Sequence, residues 1–166
     1  MDGEVVGMTF DELTLEEVVR RLQEASNDLK QTFGDVFASL LLFGSFPRGE
    51  ASKESDVDVL VVLRGLGDLR VRVEIYSILA RHIGRPLTLI LADLADLIKE
   101  DLEITPLLLN SLYDGIVIYD ESGVLQRLKT KVDMLVKKAN LVRYRTPDGK
   151  YGWKRADGKP IEAVEV

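Results

Sequence analysis

Residues 41–60 read Leu41-Leu42-Phe43-Gly44-Ser45-Phe46-Pro47-Arg48-Gly49-Glu50-Ala51-Ser52-Lys53-Glu54-Ser55-Asp56-Val57-Asp58-Val59-Leu60. An apolar run ends in Gly-Ser, and ten residues intervene before Asp-x-Asp opens a second apolar run. The runs at 37–43 and 56–63 read as two buried strands, and the polar stretch between them as a turn-rich connection. Asp56 and Asp58, two apart on a strand, point to one face about 7 Å apart. Val57, Val59 and Val61 give the other face to the core. Like charges at that spacing repel by roughly 2 kcal/mol at an effective dielectric of 20. Solvent, a raised pKa or a divalent cation between them relieves the repulsion. Taken alone, Asp-x-Asp reads first as a pair of solvated aspartates at a strand start.

Gly44 lets the chain reverse and lets backbone approach a ligand closely. Successive N–H groups in such a turn form a nest for anions, and Ser45 adds a hydroxyl donor. A short helix beginning there points its positive end at the same place. Arg48 follows Ser45 by about one helical turn and reaches toward the same phosphate. Gly-Ser alone is only a strand-to-helix turn. Together the two halves describe a catalyst, in which Gly44, Ser45 and Arg48 grip a triphosphate while Asp56 and Asp58 hold metal across from them. Nucleotidyl transfer needs positioning and charge stabilisation more than covalent chemistry by the protein.

Outward from this stretch, helices and strands alternate. Thr14, with Glu17 three residues on, forms a capping box that opens a helix whose apolar face is Leu15, Val18, Val19, Leu22, Ala25 and Leu29. Residues 33–35 end it. After Gly65 and Gly67, residues 68–83 form a helix with Leu69, Val73, Tyr76, Leu79 and Ala80 at helical spacing. Gly84-Arg85-Pro86 stops it, and 87–91 is a third strand. Residues 94–112 read as helical, with Thr105-Pro106 marking a break or a fresh start. Residues 115–119 form a fourth strand and 123–139 a basic helix. The turns Asp148-Gly149-Lys150 and Asp157-Gly158-Lys159, flanked by 141–145, 151–155 and 161–166, suggest a small antiparallel meander with Tyr151 and Trp153 in its core. The expected fold class is α/β (α+β), a mixed β-sheet flanked by helices with a small C-terminal β meander. The expected organisation is a main domain over 10–120 and a basic helix-plus-meander appendage over 121–166.

Composition narrows the chemistry. The 166 residues contain no cysteine and one histidine, His82, which excludes disulfides, thiolate metal sites and multi-histidine sites. Any metal is then held by oxygen, which favours Mg²⁺ or Mn²⁺. His82, near a helix end, reads as structural. No apolar stretch is long enough to span a bilayer, and the acidic start Met1-Asp2-Gly3-Glu4 lacks the basic leader of a secretory signal. A cytoplasmic protein with no membrane partner is expected. The net charge of −6 is uneven: residues 1–120 carry 11 basic and 22 acidic side chains, residues 121–166 carry 11 and 6. The basic tail reads first as a solvated helix face plus loops and second as a patch that meets polyanions or an acidic partner, and the overall charge disfavours nucleic acid.

In order and spacing, Phe43-Gly44-Ser45, Arg48-Gly49 and Ser55-Asp56-Val57-Asp58 resemble the signature of the polymerase-β-type nucleotidyltransferase superfamily. The likeness is to its minimal nucleotidyltransferases from archaea and bacteria, over about residues 10–120. The resemblance implies a nucleotidyltransferase-like mixed sheet, Asp56 and Asp58 as catalytic Mg²⁺ ligands, and transfer of a nucleoside monophosphate, AMP foremost, from a nucleoside triphosphate to a hydroxyl. It also implies a partner, because minimal members often pair, as antitoxin with toxin, with a helical HEPN-type protein; a homo-oligomer is the other form a second chain can take. One position departs from the family. Its third carboxylate, on the following strand, falls here at Thr88, and Asp93 lies five residues later where it reads as a helix cap. A nucleotide-binding or antitoxin-like module with weak or no turnover is therefore the alternative reading.

Overall fold

The computed structural model describes residues 12–158. Helix α1 (Leu15–Phe33) starts where Thr14 accepts a hydrogen bond from the Glu17 N–H at 3.1 Å, one half of the expected capping box. The Glu17 carboxylate turns instead to Arg20 and Arg21. Gly34 (φ 57°) ends the helix, and a short 3-10 turn (Gly34–Val36) leads into β1 (Phe37–Phe43). The one-turn helix α2 (Ser45–Arg48) follows, then β2 (Val57–Leu63), α3 (Leu69–Ile83) and β3 (Leu87–Asp93).

The expected helical stretch 94–112 is helical only in two pieces, α4 (Leu94–Leu97) and α5 (Pro106–Asp114). Thr105 caps α5 by accepting from the Leu108 N–H, and Pro106 takes the first turn, so Thr105-Pro106 is a fresh start. Strand β4 (Ile116–Asp120), helix α6 (Val124–Lys138) and a hairpin of β5 (Leu141–Arg145) and β6 (Tyr151–Arg155) complete the described chain. The third segment expected for the meander, 161–166, lies outside the described residues.

The sheet has the order β3-β2-β1-β4 and is mixed: β1 is antiparallel to both β2 and β4, and β2 is parallel to β3. All seven residues of β1 are buried, as a strand between two neighbours and two covered faces must be. One face carries Leu40, Leu42, Val57, Val59, Val61, Leu87 and Leu89 and packs on α1 and α3. The other carries Ala38, Leu41, Phe43, Leu60 and Val62 and packs on α5, α6 and the hairpin's Leu141 and Trp153. His82 joins α3 to α1 through Asp28, Nε2 to Oδ2 at 2.7 Å, a structural role.

Helix α3 turns to the core a stripe that shares Leu79 with the one its spacing suggested but not Leu69, Val73 or Tyr76. Ile75, Ile78, Leu79 and Ile83 are buried, while Leu69 is 74 % exposed and Val73 57 %. Both stripes repeat at helical spacing, and only packing against α1 distinguishes them. No helix among the described residues is long and apolar enough to cross a membrane.

Candidate active site

The site forms where the end of β1 meets the starts of β2 and β3. In the antiparallel β1–β2 pair Phe43 lies opposite Asp58, so the chain leaves β1 at Gly44 directly beside that carboxylate. In the parallel β2–β3 pair Asp58 lies opposite Thr88. Three neighbouring strands thus bring together Gly44-Ser45, Asp58 and Thr88, which are far apart in sequence. Asp58 shares its face with Leu60 and Val62, the face that α5, α6 and the hairpin cover elsewhere.

Gly44 is needed twice over. Its φ of 85° and ψ of −147° lie in a region that only glycine enters readily. A Cβ built there would sit 2.0 Å from Asp58 Oδ2. Ser45 opens α2 and is half-buried, and among the described residues its hydroxyl makes no hydrogen bond. Phe46, 3 % exposed, anchors α2 in the α1–α3 core. Gly49 closes the turn in the left-handed conformation (φ 74°), and the Glu50 N–H donates back to the Ser45 carbonyl at 3.0 Å.

The loop carrying Asp56 is pinned by its own serines. The Ser52 N–H donates to Ser55 Oγ at 2.8 Å, and Arg85 reaches the Ser52 and Ser55 carbonyls. Ser55 therefore shapes the approach to Asp56. Asp56 itself is exposed just before β2, while Asp58 is half-buried within it. Burial holds the Asp58 carboxyl above the usual carboxylate range, a hydrogen bond from the Thr88 hydroxyl opposes that, the charge of Asp56 adds to it, and the charge of Arg48 also opposes it. Among the described residues no three His, Cys, Asp or Glu side chains gather as a metal cage. Two aspartates on alternate positions of the strand start, one of them half-buried, nevertheless fit a hard cation whose remaining ligands come from phosphate and water.

Thr88 lies opposite Asp58 in the β2–β3 register, at the position where the resemblance led one to expect a third acid. Asp93 cannot take its place. It sits at the opposite end of β3, about 16 Å along the strand, where it accepts from the Ala95 N–H at 3.1 Å and the Gly65 N–H at 3.3 Å. Arg48 is half-buried and already engaged. Its Nε donates to Glu50 Oε1 at 2.9 Å, its Nη1 lies 3.6 Å from Asp114, and its guanidinium carbon sits 4.6 Å from the centre of the Tyr151 ring.

That last contact is one the sequence did not suggest. Trp153 is buried as expected, its Nε1 donating to Asn110 Oδ1 at 2.7 Å, but Tyr151 belongs to the edge of the site. Its hydroxyl donates to Glu50 Oε2 at 2.5 Å across 101 residues of sequence. Arg143 lies 4.2 Å from the same ring and grips both oxygens of Asp114 at 2.9 and 2.5 Å. No local pattern could have paired residues so distant in the chain.

Residues 22–118 match the family described as the nucleotidyltransferase domain. A candidate protein adenylyltransferase of Methanocaldococcus jannaschii is 30 % identical over 142 residues, covering 82 % of this chain and 92 % of that protein. The protein adenylyltransferase MntA of Thermococcus cleftensis is 34 % identical over 79 residues, 48 % of this chain and 78 % of that one. Among solved structures, a toxin–antitoxin crystallised with AMP-PNP aligns at a TM-score of 0.47 and 18 % identity, covering 70 % of this chain and 87 % of that one.

Proposed function

The chain belongs to the nucleotidyltransferase domain family, and from that premise we propose that it transfers AMP from ATP to a hydroxyl group on a protein. The observation that carries the reading is the packing of the Gly44 backbone against the Asp58 carboxylate, which supports a phosphate site at the turn beside a cation site on β2. In the proposed arrangement the Ser45 hydroxyl donates to a phosphate oxygen, and the Nη edges of Arg48 meet the triphosphate. Asp56 and Asp58 would hold Mg²⁺ or Mn²⁺, which when bound would neutralise triphosphate charge. The acceptor oxygen forms its bond to the α-phosphorus as the bond to pyrophosphate breaks, and the acceptor proton leaves to solvent or to a carboxylate of the pair. A protein acceptor is favoured because the similar M. jannaschii and T. cleftensis proteins are described as protein adenylyltransferases. The partner is a helical HEPN-type protein, or else a second copy of this chain. The exposed Arg127, Lys137 and Lys138 on α6 suit an acidic protein surface.

Thr88 supports a second reading. A hydroxyl beside Asp58 neither binds metal well nor accepts the acceptor's proton, so nucleotide binding with slow turnover follows naturally from it. Incubation with α-labelled ATP, Mg²⁺ and the product of the neighbouring gene tests both. Label on protein together with pyrophosphate release, lost in Asp58→Asn, supports transfer. Saturable ATP binding without pyrophosphate release supports the second reading, and no ATP binding would refute both.

A further inference from the structure

The C-terminal hairpin lies outside the segment matched to the family, yet it reaches the nucleotide turn. We propose that Tyr151 is a positioning residue for the reaction: its ring, backed by Arg143 and tied to Glu50, holds the Arg48 guanidinium in the orientation that meets the triphosphate. The inference rests on the function proposed above.

The geometry separates the two surfaces of the Arg48 guanidinium. A ring interacts with its face, whereas phosphate oxygens take its edge, so both contacts fit one orientation. Arg48 gives Nε to Glu50 and lies 4.6 Å from the Tyr151 ring centre; its Nη1 faces Asp114 at 3.6 Å, and among the described residues its Nη2 makes no hydrogen bond. The Tyr151 ring is fixed in turn. Its hydroxyl donates to Glu50, its carbonyl accepts from Asn110 Nδ2 at 3.3 Å, and Arg143 and Arg145 lie 4.2 and 5.3 Å from its centre. Asn110 also accepts from Arg143 and Trp153, which locks the hairpin to α5. Arg48, Arg143 and Arg145 face Glu50 and Asp114, and Asp58 also acts on Arg48, so the cluster balances until a cation neutralises Asp58 and frees Arg48 for a phosphate. With guanidinium groups already crowding the ring, Tyr151 is poorly placed to stack on a nucleobase. Holding a long side chain before the ligand arrives removes the cost of ordering it during binding.

The test measures Mg-ATP affinity by calorimetry and KM and kcat for transfer in the full chain. The variants are Tyr151→Phe, Tyr151→Leu, Arg48→Ala and Arg48→Ala/Tyr151→Leu, with urea unfolding as the check on folding. Tyr151→Leu should weaken ATP binding about fivefold, within the twofold-to-tenfold range that ordering one long side chain is worth. KM should rise with kcat held. Tyr151→Phe, which keeps the ring, should stay within about twofold of wild type, and Tyr151→Leu should cost nothing more once Arg48 is alanine. If Tyr151→Leu does not fold, Tyr151→Gln replaces it with the same expectations. The proposal is overturned if Leu binds like wild type, if Leu and Phe lose equally, or if the Leu loss persists in the Arg48→Ala background. Wild-type protein that does not bind ATP would remove the proposed function and this inference with it, a result separate from any ranking of the variants.

Discussion

Replacing Gly44 with alanine perturbs the site through two effects that can be measured apart. The backbone at φ 85°, ψ −147° admits a side chain at a cost of about 1–3 kcal/mol. The new Cβ also meets Asp58, at 2.0 Å from Oδ2 and 2.9 Å from Cγ, so the carboxylate must rotate away. Rotation moves Asp58 out of its present rotamer, and making room for an inserted methyl in a packed site costs typically about 1–3 kcal/mol. Asp58 is only half-buried, so about 1–2 kcal/mol is the expected share. Gly44→Ala should therefore destabilise by about 2–5 kcal/mol, within the total of roughly 5–15 kcal/mol typical of a domain. In an Asp58→Ala background Oδ2 and Cγ are absent, and only a contact of 3.1 Å to Cβ remains. There the same substitution should cost about 1–3 kcal/mol, leaving a coupling of about 1–2 kcal/mol. Urea unfolding of the four proteins, followed by circular dichroism, gives these values. A cost below about 0.5 kcal/mol, or an equal cost in both backgrounds, would refute the contact on which the site rests.

Four other outcomes follow from the same geometry. Calorimetric titration with Mn²⁺ should detect binding to wild type and none to Asp56→Asn/Asp58→Asn, and equal heats from the two would remove the metal assignment. Ser45→Ala should weaken ATP binding by about 1.5–3 kcal/mol, or roughly tenfold and more, but leave adenosine binding unchanged; equal losses for both ligands would reduce Gly44-Ser45 to a turn. Because burial raises the Asp58 pKa on folding, the stability gained by protonating it is complete below the ordinary aspartate range and fades as pH rises through the raised value. In EDTA, Asp58→Asn should thus gain on wild type as pH rises from about 4 through the raised Asp58 value and hold that lead above it, and parallel pH profiles would contradict the burial. Thr88→Asp should raise Mn²⁺ affinity about tenfold or more, since carboxylate count sets affinity in oxygen-ligand sites; a folded variant with unchanged affinity would mean that residue 88 does not face the metal.

Local patterns made some elements legible and left others open. Strand β1 was readable to the residue because its run is apolar at six of seven positions, Ser39 excepted, which suits a short strand with both faces covered, and Gly44 stops it sharply. Asp93 was readable as a cap because its carboxylate acts two residues away. Helix α3 was harder. Leu69, Val73 and Tyr76 repeat as regularly as Ile75, Ile78 and Leu79, and the period alone cannot say which stripe finds α1. Residues 98–105 carry the composition of a helix but only four to nine residues lie on either side in helical form, so propensity gave way to the need to turn the chain between β3 and α5.

The site divides in the same way. Gly44, Ser45, Asp56 and Asp58 lie within fifteen residues, and the hairpin-like return from β1 to β2 turns their sequence spacing into contact. Thr88 needed one more step, the parallel register of β3 on β2, which a right-handed crossover through α3 makes the expected arrangement. Tyr151 and Arg143 had no such route. Their charges and rings suited a solvated hairpin equally well, and what brings them to Arg48 is the burial of Leu141 and Trp153 beneath α5 and α6. Apolar packing in the second core thus decides which polar groups reach the nucleotide turn. A residue buried for stability, Trp153, is two positions from the residue that touches Arg48, and in a strand that spacing returns the side chain to the same face. The hairpin's placement of Tyr151 is therefore inseparable from its own core, and substitutions at Leu141 should reach the site only through that packing.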